Sequence, residues 1–378
     1  MNILIIPTWY PTEKNRILGI FIKNQVDVIA RKHTVIVLYP EPGNLMDVLK
    51  KPDLLRIQDN LFIIRPKYTL FPKLGMISYL YSVLKGFRRI RKSYKIDLIH
   101  SHVVMQGGFG GALLSKLYKI PFVLTEHSSQ ACDIAKHKIY KKLYIWAVKK
   151  AHRFICVSRF LTNEIERNFE KVETSIIHNV INTDLFNLTG ISETEKPVQI
   201  IFVGGLHNDI KNLPLLLEVL SDIKNESQIG FNVQVIGDGK LKSDYQLLAE
   251  KLGLGDTVKF RGNLLPENLA KTLKGSSFFV STSKKETFGI APVEALACGK
   301  PVIVSRCGGP EEYFKDFCGI MIQPDNKDEL KSAVLKLMTT FPTYDPENLH
   351  NYIKENFGPE VFLGKIEEIY CSLSEKNI

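Results

Sequence analysis

The sequence of 378 residues has no apolar run that approaches the eighteen or so residues a membrane-spanning helix needs. Its six cysteines form no Cys-x-x-Cys pair and no zinc-like spacing, which argues against a disulfide scaffold and a cysteine-based metal site. The glycine fingerprint G-x-G-x-x-G of dinucleotide-binding proteins is also missing. No basic leader precedes the first apolar segment, so we expect no secretory signal and a cytoplasmic location.

Acidic residues are scarce in the first half of the chain. Residues 1–190 contain 29 Lys and Arg but only 14 Asp and Glu, a net charge of +15, whereas the remainder carries a net charge of −5. A basic half beside a mildly acidic half predicts that one domain faces an anionic partner. No nucleic-acid-binding motif with interleaved aromatic residues is present, so we expect an anionic membrane surface or a phosphate-bearing lipid acceptor, and no nucleic acid.

Two basic segments carry much of this charge. Residues 70–94 predict an aromatic and basic helix, and residues 136–153 predict a helix with many lysines. In the second segment four residues could line an apolar face: Ile139, Leu143, Trp146 and Val148. Basic amphipathic helices lie on anionic membranes, at roughly 1 kcal/mol per Lys or Arg near the surface. The alternative is a packed helix with a solvated basic face; we expect peripheral contact with the inner face of the plasma membrane.

Strands and helices alternate from the start of the chain. The apolar segment Asn2–Ile6 predicts a buried strand, a long loop containing Gly19 follows, and a helix runs from there to about Arg31. The segment His33–Tyr39 predicts a second strand, which makes the opening a βαβ unit. The same alternation begins again near Pro197, so the sequence predicts an α/β protein with two doubly wound domains.

The segment Ser281–Glu312 is the strongest functional signal. It joins two apolar runs that predict buried strands, and between them Gly289–Ala297 predicts a short helix. The start of a helix presents free backbone N–H groups and a positive dipole end, which favour a phosphate group. Two carboxylates, Glu286 and Glu294, flank that helix start, and the glycine pair Gly308-Gly309 follows the second strand.

The whole block resembles retaining nucleotide-sugar glycosyltransferases of the GT-B type, in the family-4 group also called glycosyl transferases group 1. The resemblance implies that Glu286 lies beside the donor sugar and the diphosphate. It implies that Glu294 hydrogen-bonds the donor ribose, and that the backbone amides of Phe288, Gly289 and Ile290 contact the phosphates. The alternative is that both glutamates are ordinary carboxylates at a helix end.

Further donor-binding residues follow from the same resemblance. It implies that the backbone of Gly19 approaches the donor phosphates, although Gly19 could instead only help its helix to start. Lys211 matches a lysine that binds the diphosphate, but Gly205 stands where the family usually has an arginine. Backbone amides around that glycine could compensate, or a basic residue such as Arg159 or Arg261 could. The family also holds the nucleotide base near the turn in which we place Arg261.

One histidine is a candidate for the sugar side of the site. The segment Pro121–Glu126 predicts a strand that delivers His127 at its carboxyl end, where open parallel sheets bind ligands. The resemblance implies that His127 faces the donor sugar and hydrogen-bonds a hydroxyl or assists the proton. A purely structural histidine is the alternative, and it is the interpretation that we favour for His100.

The resemblance also implies an organisation and an activity. We expect two Rossmann-like domains facing across a cleft. Residues 1–190 form the acceptor-side domain, residues 191–358 form the donor-binding domain, and residues 359–378 form a helix that crosses back to the first domain. We expect retaining transfer of a sugar from a nucleoside diphosphate sugar to an acceptor hydroxyl, without a metal ion or a cofactor.

The acceptor class is expected to be a glycan or a lipid-linked molecule of the cell envelope, as in the synthesis of polysaccharide, lipopolysaccharide or glycolipid. Three other functions stay open at this point. The chain could be a nucleotide-sugar epimerase or a sugar phosphorylase of the same fold. It could also be a non-catalytic, membrane-bound subunit that binds nucleotide sugars.

Overall fold

A computed structural model describes residues 1–71, 74–128, 134, 137–169, 172–190 and 197–374. The chain divides into two compact units, of which the first combines Met1–Val180 with Glu360–Ile378 and the second is Ile181–Pro359. The predicted boundary between residues 190 and 191 lies at the edge of the described residues, and Lys136 of the second basic segment lies outside them.

The central strands of both sheets are short, rich in apolar residues and mostly buried, as expected for parallel sheets covered on both faces. In chain order the described strands are β1 (Asn2–Pro7), β2 (Thr34–Leu38), β3 (Glu41–Pro42), β4 (Leu54–Gln58), β5 (Leu61–Ile64), β6 (Lys67–Tyr68), β7 (Leu98–His102), β8 (Phe122–Glu126), β9 (Arg153–Cys156), β10 (Ser175–Ile176), β11 (Val198–Val203), β12 (Phe231–Ile236), β13 (Val258–Gly262), β14 (Phe278–Ser281), β15 (Val302–Ser305) and β16 (Gly319–Ile322).

The helices alternate with these strands. In chain order the described α-helices are α1 (Ile20–Ile29), α2 (Leu45–Leu49), α3 (Gly75–Ile90), α4 (Phe109–Tyr118), α5 (Lys138–Lys150), α6 (Arg159–Asn168), α7 (Leu213–Glu226), α8 (Lys242–Lys251), α9 (Pro266–Lys274), α10 (Ile290–Ala297), α11 (Lys327–Thr340), α12 (Pro346–Phe357) and α13 (Pro359–Ser374). None of them is long and apolar enough to span a bilayer.

The first unit is built on a sheet of eight strands in the order β10-β9-β8-β7-β1-β2-β5-β4, and β3 pairs separately with β6. All pairs are parallel except β4 with β5. Its core joins strand residues such as Ile3 and Val35 to Ile22 and Val26 of α1 and to Phe362 of α13. The last helix therefore contributes apolar side chains to the core of the first unit.

Two parts of the first unit show details that the residue pattern leaves open. The stretch 41–60 has no clear period, yet it contains the short helix α2, which starts where Asn44 and Asp47 form a capping box, and the edge strand β4. In α5 the buried face consists of Tyr144, Ala147 and Val148, whereas Ile139 is 75% exposed. Of the apolar residues named for this helix, Ile139 is thus exposed and Val148 is buried in the unit.

The second unit contains a parallel sheet of six strands in the order β13-β12-β11-β14-β15-β16. This is the order of a doubly wound sheet: β12 and β13 are added on one side of β11, and β14, β15 and β16 are added on its other side. Helices α7 and α11 pack apolar faces on the sheet, with Leu216, Leu220, Val334 and Leu337 in one core with Phe202. The α/β fold class with parallel sheets is confirmed.

Candidate functional site

The predicted donor-binding residues of the second unit follow the two central strands β11 and β14. These strands are neighbours, and the connections lead away from them in opposite directions along the sheet. The carboxyl ends of such a strand pair form the crevice in which open α/β sheets bind ligands. The loop after β11 contains Gly204, Gly205 and Lys211, and the loop after β14 contains Glu286.

In the loop after β11, the side chain of Lys211 packs against Gly204. Lys211 ends a 3-10 turn that starts at Asp209. A Cβ atom added to Gly204 would lie 2.9 Å from Cγ of Lys211 and 3.2 Å from its Cδ. The stem of Lys211 therefore occupies the space that any larger residue at position 204 would need. The absence of a side chain at Gly204 thus fixes the path of the lysine across the end of β11.

Lys211 and Glu286 form an ion pair between the two loops. The same carboxylate oxygen, Oε1 of Glu286, accepts a second hydrogen bond from Oγ of Ser283, at 2.8 Å. Both charged side chains are partly buried, with 28% of Lys211 and 14% of Glu286 exposed. The pair thus presents an oriented cation and an oriented carboxylate at the crevice.

The backbone around Glu286 is held by the loop that follows β15. The N–H of Glu286 donates to the carbonyl of Cys307 at 3.1 Å, and the N–H of Gly309 donates to the carbonyl of Glu286 at 2.9 Å. A side chain on Gly309 would overlap the backbone of Phe288. The predicted glycine pair therefore lets two backbones pass in close contact, which fixes the position of the carboxylate.

Helix α10 begins directly after this loop. Its N-cap, Gly289, has φ of 84°, which favours glycine, and no side chain caps the helix start. Pro292 stands in the first turn, where its missing N–H costs no hydrogen bond within the helix. A Cβ on Gly289 would lie 3.9 Å from Cγ of Glu286, so the helix start and the carboxylate are close together. Phe288 is buried, and its ring packs against the rings of Tyr313 and Phe357 beside the helix start.

Glu294 lies on α10, one turn into the helix. Part of its surface is accessible, but protein atoms enclose the carboxyl group closely enough that burial raises its pKa to about 8. A carboxyl group with such a pKa is largely protonated at neutral pH. It can donate a hydrogen bond in that state and accept one after losing the proton.

Several residues that the sequence did not single out support this arrangement. Oγ1 of Thr282 donates to the carbonyls of Lys211 at 3.0 Å and Asn212 at 2.9 Å. Nζ of Lys284 donates to Asp209 at 2.6 Å, and the N–H of Lys284 donates to the carbonyl of Ile210 at 2.8 Å. These bonds join the two loops. The run of small hydroxyl residues before Glu286 is the sequence signal that could have indicated them.

A buried tyrosine adjoins the helix start. The hydroxyl of Tyr313 is fully buried and finds no hydrogen-bond partner among the described residues. A Cβ on Gly289 would lie 3.3 Å from it. Burial raises the pKa of Tyr313 well above its usual value, so the hydroxyl stays protonated and can donate.

The other two predicted donor-binding residues lie in different surroundings. Gly205 is exposed, and a Cβ there would meet only Cδ2 of His207, at 3.7 Å, so the position has room for a side chain. Arg261 belongs to the edge strand β13 and not to the turn after it, because Gly262 still pairs with Ile236 of β12. Its Nε donates to Oε1 of Gln234 at 3.1 Å. The predicted placement of Arg261 in a turn was therefore wrong.

In the first unit, both ring nitrogens of His127 are engaged. Nδ1 lies 3.1 Å from Oδ1 of Asn179, and Nε2 lies 3.1 Å from Nδ1 of His102. Nε2 of Gln25 donates to the same Asn179 oxygen at 3.2 Å. Burial lowers the pKa of His127 to about 3, so the ring is neutral. A substrate hydroxyl would have to replace one of the two partners of His127.

Two neighbours of this histidine are buried polar groups with internal partners. His100 contacts the hydroxyl of Tyr370 at 2.6 Å and Oγ1 of Thr125 at 2.8 Å, and burial lowers its pKa to about 3. Glu126 accepts three backbone hydrogen bonds, from Val104 at 3.1 Å and from His127 and Ser128 at 2.9 Å. Burial nevertheless raises the pKa of Glu126 to about 7. These contacts give His100 a structural role.

Gly19 is the N-cap of α1 and has φ of 67°. The backbone of Trp9 passes where a side chain would stand, with the carbonyl carbon of Trp9 2.5 Å from an added Cβ. The glycine is thus required by the fold itself. Its contact with donor phosphates stays a prediction, as do the donor roles of the other residues and the expectation that no metal ion takes part.

Comparison with known families matches both halves of the chain. The family "Glycosyl transferases group 1" matches residues 189–356, and "Glycosyltransferase Family 4" matches residues 19–185. An uncharacterized glycosyltransferase of Methanocaldococcus jannaschii is 31% identical over 308 residues, which cover 79% of this chain and 82% of that protein. Alpha-monoglucosyldiacylglycerol synthase of Streptococcus pneumoniae is 26% identical and covers 78% of this chain and 72% of its own length.

Solved structures share the fold. Sucrose-phosphate synthase from Thermosynechococcus elongatus superimposes with a TM-score of 0.79 at 19% identity, over 98% of each chain. An Anabaena protein crystallised in complex with UDP-glucose superimposes with a TM-score of 0.75 at 18% identity, over 98% of this chain and all of that one. The matched families, the relatives and the shared fold show that the chain belongs to the group 1 glycosyltransferases, with the two Rossmann-like domains of the GT-B fold.

Proposed function

We propose that this protein is a retaining glycosyltransferase that needs no metal ion and uses a nucleoside diphosphate sugar as its donor. The observation that carries the proposal is the ion pair of Lys211 with Glu286 beside the uncapped start of α10, at the crevice of a doubly wound sheet. A cation and the backbone amides of a helix start at one place suit a diphosphate. The Anabaena structure with UDP-glucose, which has the same fold, supports this donor class.

The reaction breaks the bond between the anomeric carbon and a diphosphate oxygen, and it forms a bond from that carbon to an acceptor oxygen. The electron pair of the broken bond stays on the diphosphate, and the acceptor hydroxyl loses its proton. Preorganised donors lower the barrier where this charge develops. In the proposed site these donors are Nζ of Lys211 and the backbone amides of Phe288, Gly289 and Ile290.

The two glutamates have different tasks in this proposal. Glu286 now holds the Lys211 ammonium, and a bound diphosphate would compete for that cation. Glu286 would then be available to accept hydrogen bonds from sugar hydroxyls and to face the positive charge at the anomeric carbon. Glu294 would accept a hydrogen bond from a ribose hydroxyl after losing its proton. His127 of the first unit would contact a sugar hydroxyl or assist the acceptor proton.

The proposed acceptor is a glycan or a lipid-linked molecule of the cell envelope, used at the inner face of the plasma membrane. The pneumococcal relative is named for the synthesis of a glucosylated diacylglycerol, a lipid, which supports a lipid-linked acceptor here. The net charge of +15 in residues 1–190 supports an anionic surface as partner. The second unit has no such excess of basic residues, which suits a division between an acceptor side and a donor side.

Thermal unfolding in the presence of nucleotides and nucleotide sugars, first without metal and then with magnesium, tests the donor. A ligand at about a hundred times its dissociation constant should add roughly 2.7 kcal/mol to the free energy of unfolding. We expect one nucleotide sugar to stabilise the protein without metal. A response only in the presence of magnesium would contradict metal-independent binding. If no nucleotide or nucleotide sugar raises the stability, the donor would bind only after the acceptor or the membrane.

The catalytic role of Glu286 is tested by Glu286→Ala, with Glu226→Ala as the control. Glu226 also forms an ion pair with a lysine of the second unit, Lys331. It is the last residue of α7 and belongs to neither of the two crevice loops. We expect Glu286→Ala to abolish turnover while donor binding persists, and Glu226→Ala to keep both. Unchanged turnover in Glu286→Ala would refute the proposal, and an inverted product anomer in the parent protein would refute retention. Conversion of the nucleotide sugar without any acceptor would indicate an epimerase.

A further inference from the structure

The first unit exposes a group of large apolar side chains that the proposed chemistry does not use. They lie on α2, in the segment after β6 and on α3, and we call them the α2–α3 face: Leu45, Met46, Leu49, Leu70, Phe71, Leu74, Ile77 and Tyr81. Met46 is 69% exposed and Ile77 64%. The strongly exposed large apolar side chains described in the second unit are Ile210, Leu247 and Phe317, which lie far apart in the chain. Clustered exposed apolar side chains mark interaction sites.

The α3 part of this face is a regular stripe. Leu74, Ile77 and Tyr81 are separated by three and four residues, so they lie along one side of the helix, and the exposed Arg88 continues the same line seven residues later. The opposite side of α3 supplies the buried residues Val83 and Phe87. The helix therefore carries two apolar sides, and only one of them is used by the fold.

Helix α2 is attached to α3 beside this stripe. Nζ of Lys85 on α3 donates to the carbonyls of Val48 and Lys50 at the end of α2, at 2.6 Å each. The N–H of Thr69 donates to Oγ of Ser78 at 2.9 Å, which holds the segment after β6 against the first turns of α3. Within α2 only Val48 is buried. The three segments of the α2–α3 face thus adjoin one another.

The charge of this region identifies the kind of partner. Between Asp59 and Asp97 the sequence contains nine Lys and Arg residues and no Asp or Glu, and of these nine Arg65 and Lys67 are paired with Glu41. On α2, Asp47 is paired with Lys50. Arg88 and Lys92 are exposed at the end of the apolar stripe. A second copy of the same basic face would bring like charges together, whereas an anionic bilayer offers both apolar chains and phosphates.

We propose that the α2–α3 face docks on an anionic lipid bilayer, with its apolar side chains at the headgroup boundary and Arg88 and Lys92 beside lipid phosphates. This inference rests on the proposed function for its partner class, and it assigns the docking to particular residues. It places the contact on this face instead of the lysine-rich helix α5. Docking here depends on no residue of the donor site in the second unit.

Sedimentation with vesicles of phosphatidylglycerol and phosphatidylcholine tests the apolar contact. We expect the parent protein to bind these vesicles at low salt and to bind pure phosphatidylcholine vesicles weakly. Ile77→Glu should lower the partition coefficient on the anionic vesicles at least tenfold. Leu247→Glu, at an exposed leucine of α8, and Ile139→Glu on α5 are the matched controls, and both should stay within about twofold of the parent.

A second pair of variants tests the charge. Arg88→Gln with Lys92→Gln should weaken binding about thirtyfold, since each basic side chain near an anionic surface is worth a factor of about five. Lys142→Gln with Lys150→Gln, on α5, removes the same charge and should have a much smaller effect. Equal losses in both pairs, or parent-like binding of Ile77→Glu, would overturn the proposed docking face.

Two further measurements separate this proposal from its alternatives. Each variant should keep the thermal unfolding temperature of the parent and its stabilisation by nucleotide sugar, which shows that fold and donor site are intact. If Ile77→Glu abolishes vesicle binding but the parent has no transferase activity, the docking face stands and the proposed function is refuted. If the parent self-associates but does not bind vesicles, and Ile77→Glu abolishes the self-association, a second copy of the chain occupies this face. That result would overturn the membrane proposal.

Discussion

Lys211 and Glu286 are 75 residues apart in the chain, and their side chains form an ion pair at the carboxyl ends of two neighbouring strands. Each residue comes from a loop that glycine contacts and backbone hydrogen bonds hold in place. The pair positions a cation beside the uncapped start of α10. This arrangement makes several expectations specific enough to measure.

Lys211→Met should lower the turnover number by about a hundredfold to a thousandfold, because the developing charge on the leaving diphosphate would lose the cation proposed to stabilise it. The matched control is Lys331→Met, because Lys331 also pairs with a glutamate of the second unit and is similarly exposed, at 25% against 28%. Steady-state kinetics with the preferred donor gives both numbers. A similar loss in the two variants would show a general effect of removing an ion pair.

Gly204→Ala and Gly205→Ala should behave differently although they are adjacent. A methyl group at 204 would lie 2.9 Å from Cγ of Lys211 and push the lysine aside, whereas a methyl group at 205 would lie 3.7 Å from its nearest neighbour. We expect Gly204→Ala to weaken donor binding about tenfold or more, and Gly205→Ala to leave it within twofold. Calorimetric titration of the donor measures both affinities.

Gly205→Arg extends this comparison. The open space at position 205 can hold a long side chain, and a second cation at the phosphate crevice should strengthen donor binding by several-fold. The same titration measures the gain, with Gly255→Arg as a control, since an added Cβ at position 255 would meet only Cγ of Glu250, at 3.8 Å, and this position precedes the edge strand β13. Equal affinities in Gly205→Arg and the parent would show that the diphosphate does not pass this position.

Glu294→Gln should change the pH dependence of stability. Burial raises the pKa of Glu294 in the folded protein to about 8, above the ordinary value of 4.5 in the unfolded chain. The folded state therefore holds the proton more tightly, and the contribution of Glu294 to the free energy of unfolding falls as pH rises from about 4.5 to about 8. Glutamine does not titrate and avoids this loss.

The unfolding temperatures of the parent and Glu294→Gln should accordingly diverge with pH. We expect the variant to gain relative to the parent between pH 5 and pH 8.5, with little further change above that range. Differential scanning calorimetry at several pH values measures the difference. A difference that stays constant with pH would show that the carboxyl group of Glu294 is not buried enough to shift its pKa.

His127 and His102 should both be neutral and carry their protons on Nδ1. Oδ1 of Asn179 receives a hydrogen bond from Gln25, so it also accepts from Nδ1 of His127. Nε2 of His127 then accepts from Nδ1 of His102, which leaves Nε2 of His102 without a proton. Long-range proton–nitrogen NMR spectra at pH 6 should show these tautomers. Charged rings, or protons on Nε2, would contradict this chain of hydrogen bonds.

The class of the fold and the residues of the candidate donor site could both be proposed from the sequence. Buried strands appear as short apolar runs, and helix starts and stops are marked by local residues such as Pro292 and Gly299. These signals depend on the neighbouring few residues only. The spacing of Glu286 and Glu294 around a helix start is equally local, so the candidate site could be named before any fold was known.

Which groups meet depends on the packing of elements that are far apart in the chain. The pairing of Lys211 with Glu286 depends on β11 and β14 being adjacent, which no local pattern encodes. The same holds for Asn179, which engages a ring nitrogen of His127 from a distant segment, and for Arg261, whose position was mispredicted because its strand extends through pairing with β12. The exposed side of α3 also became visible only with the packing, since apolar residues look alike in sequence whether the fold buries them or not.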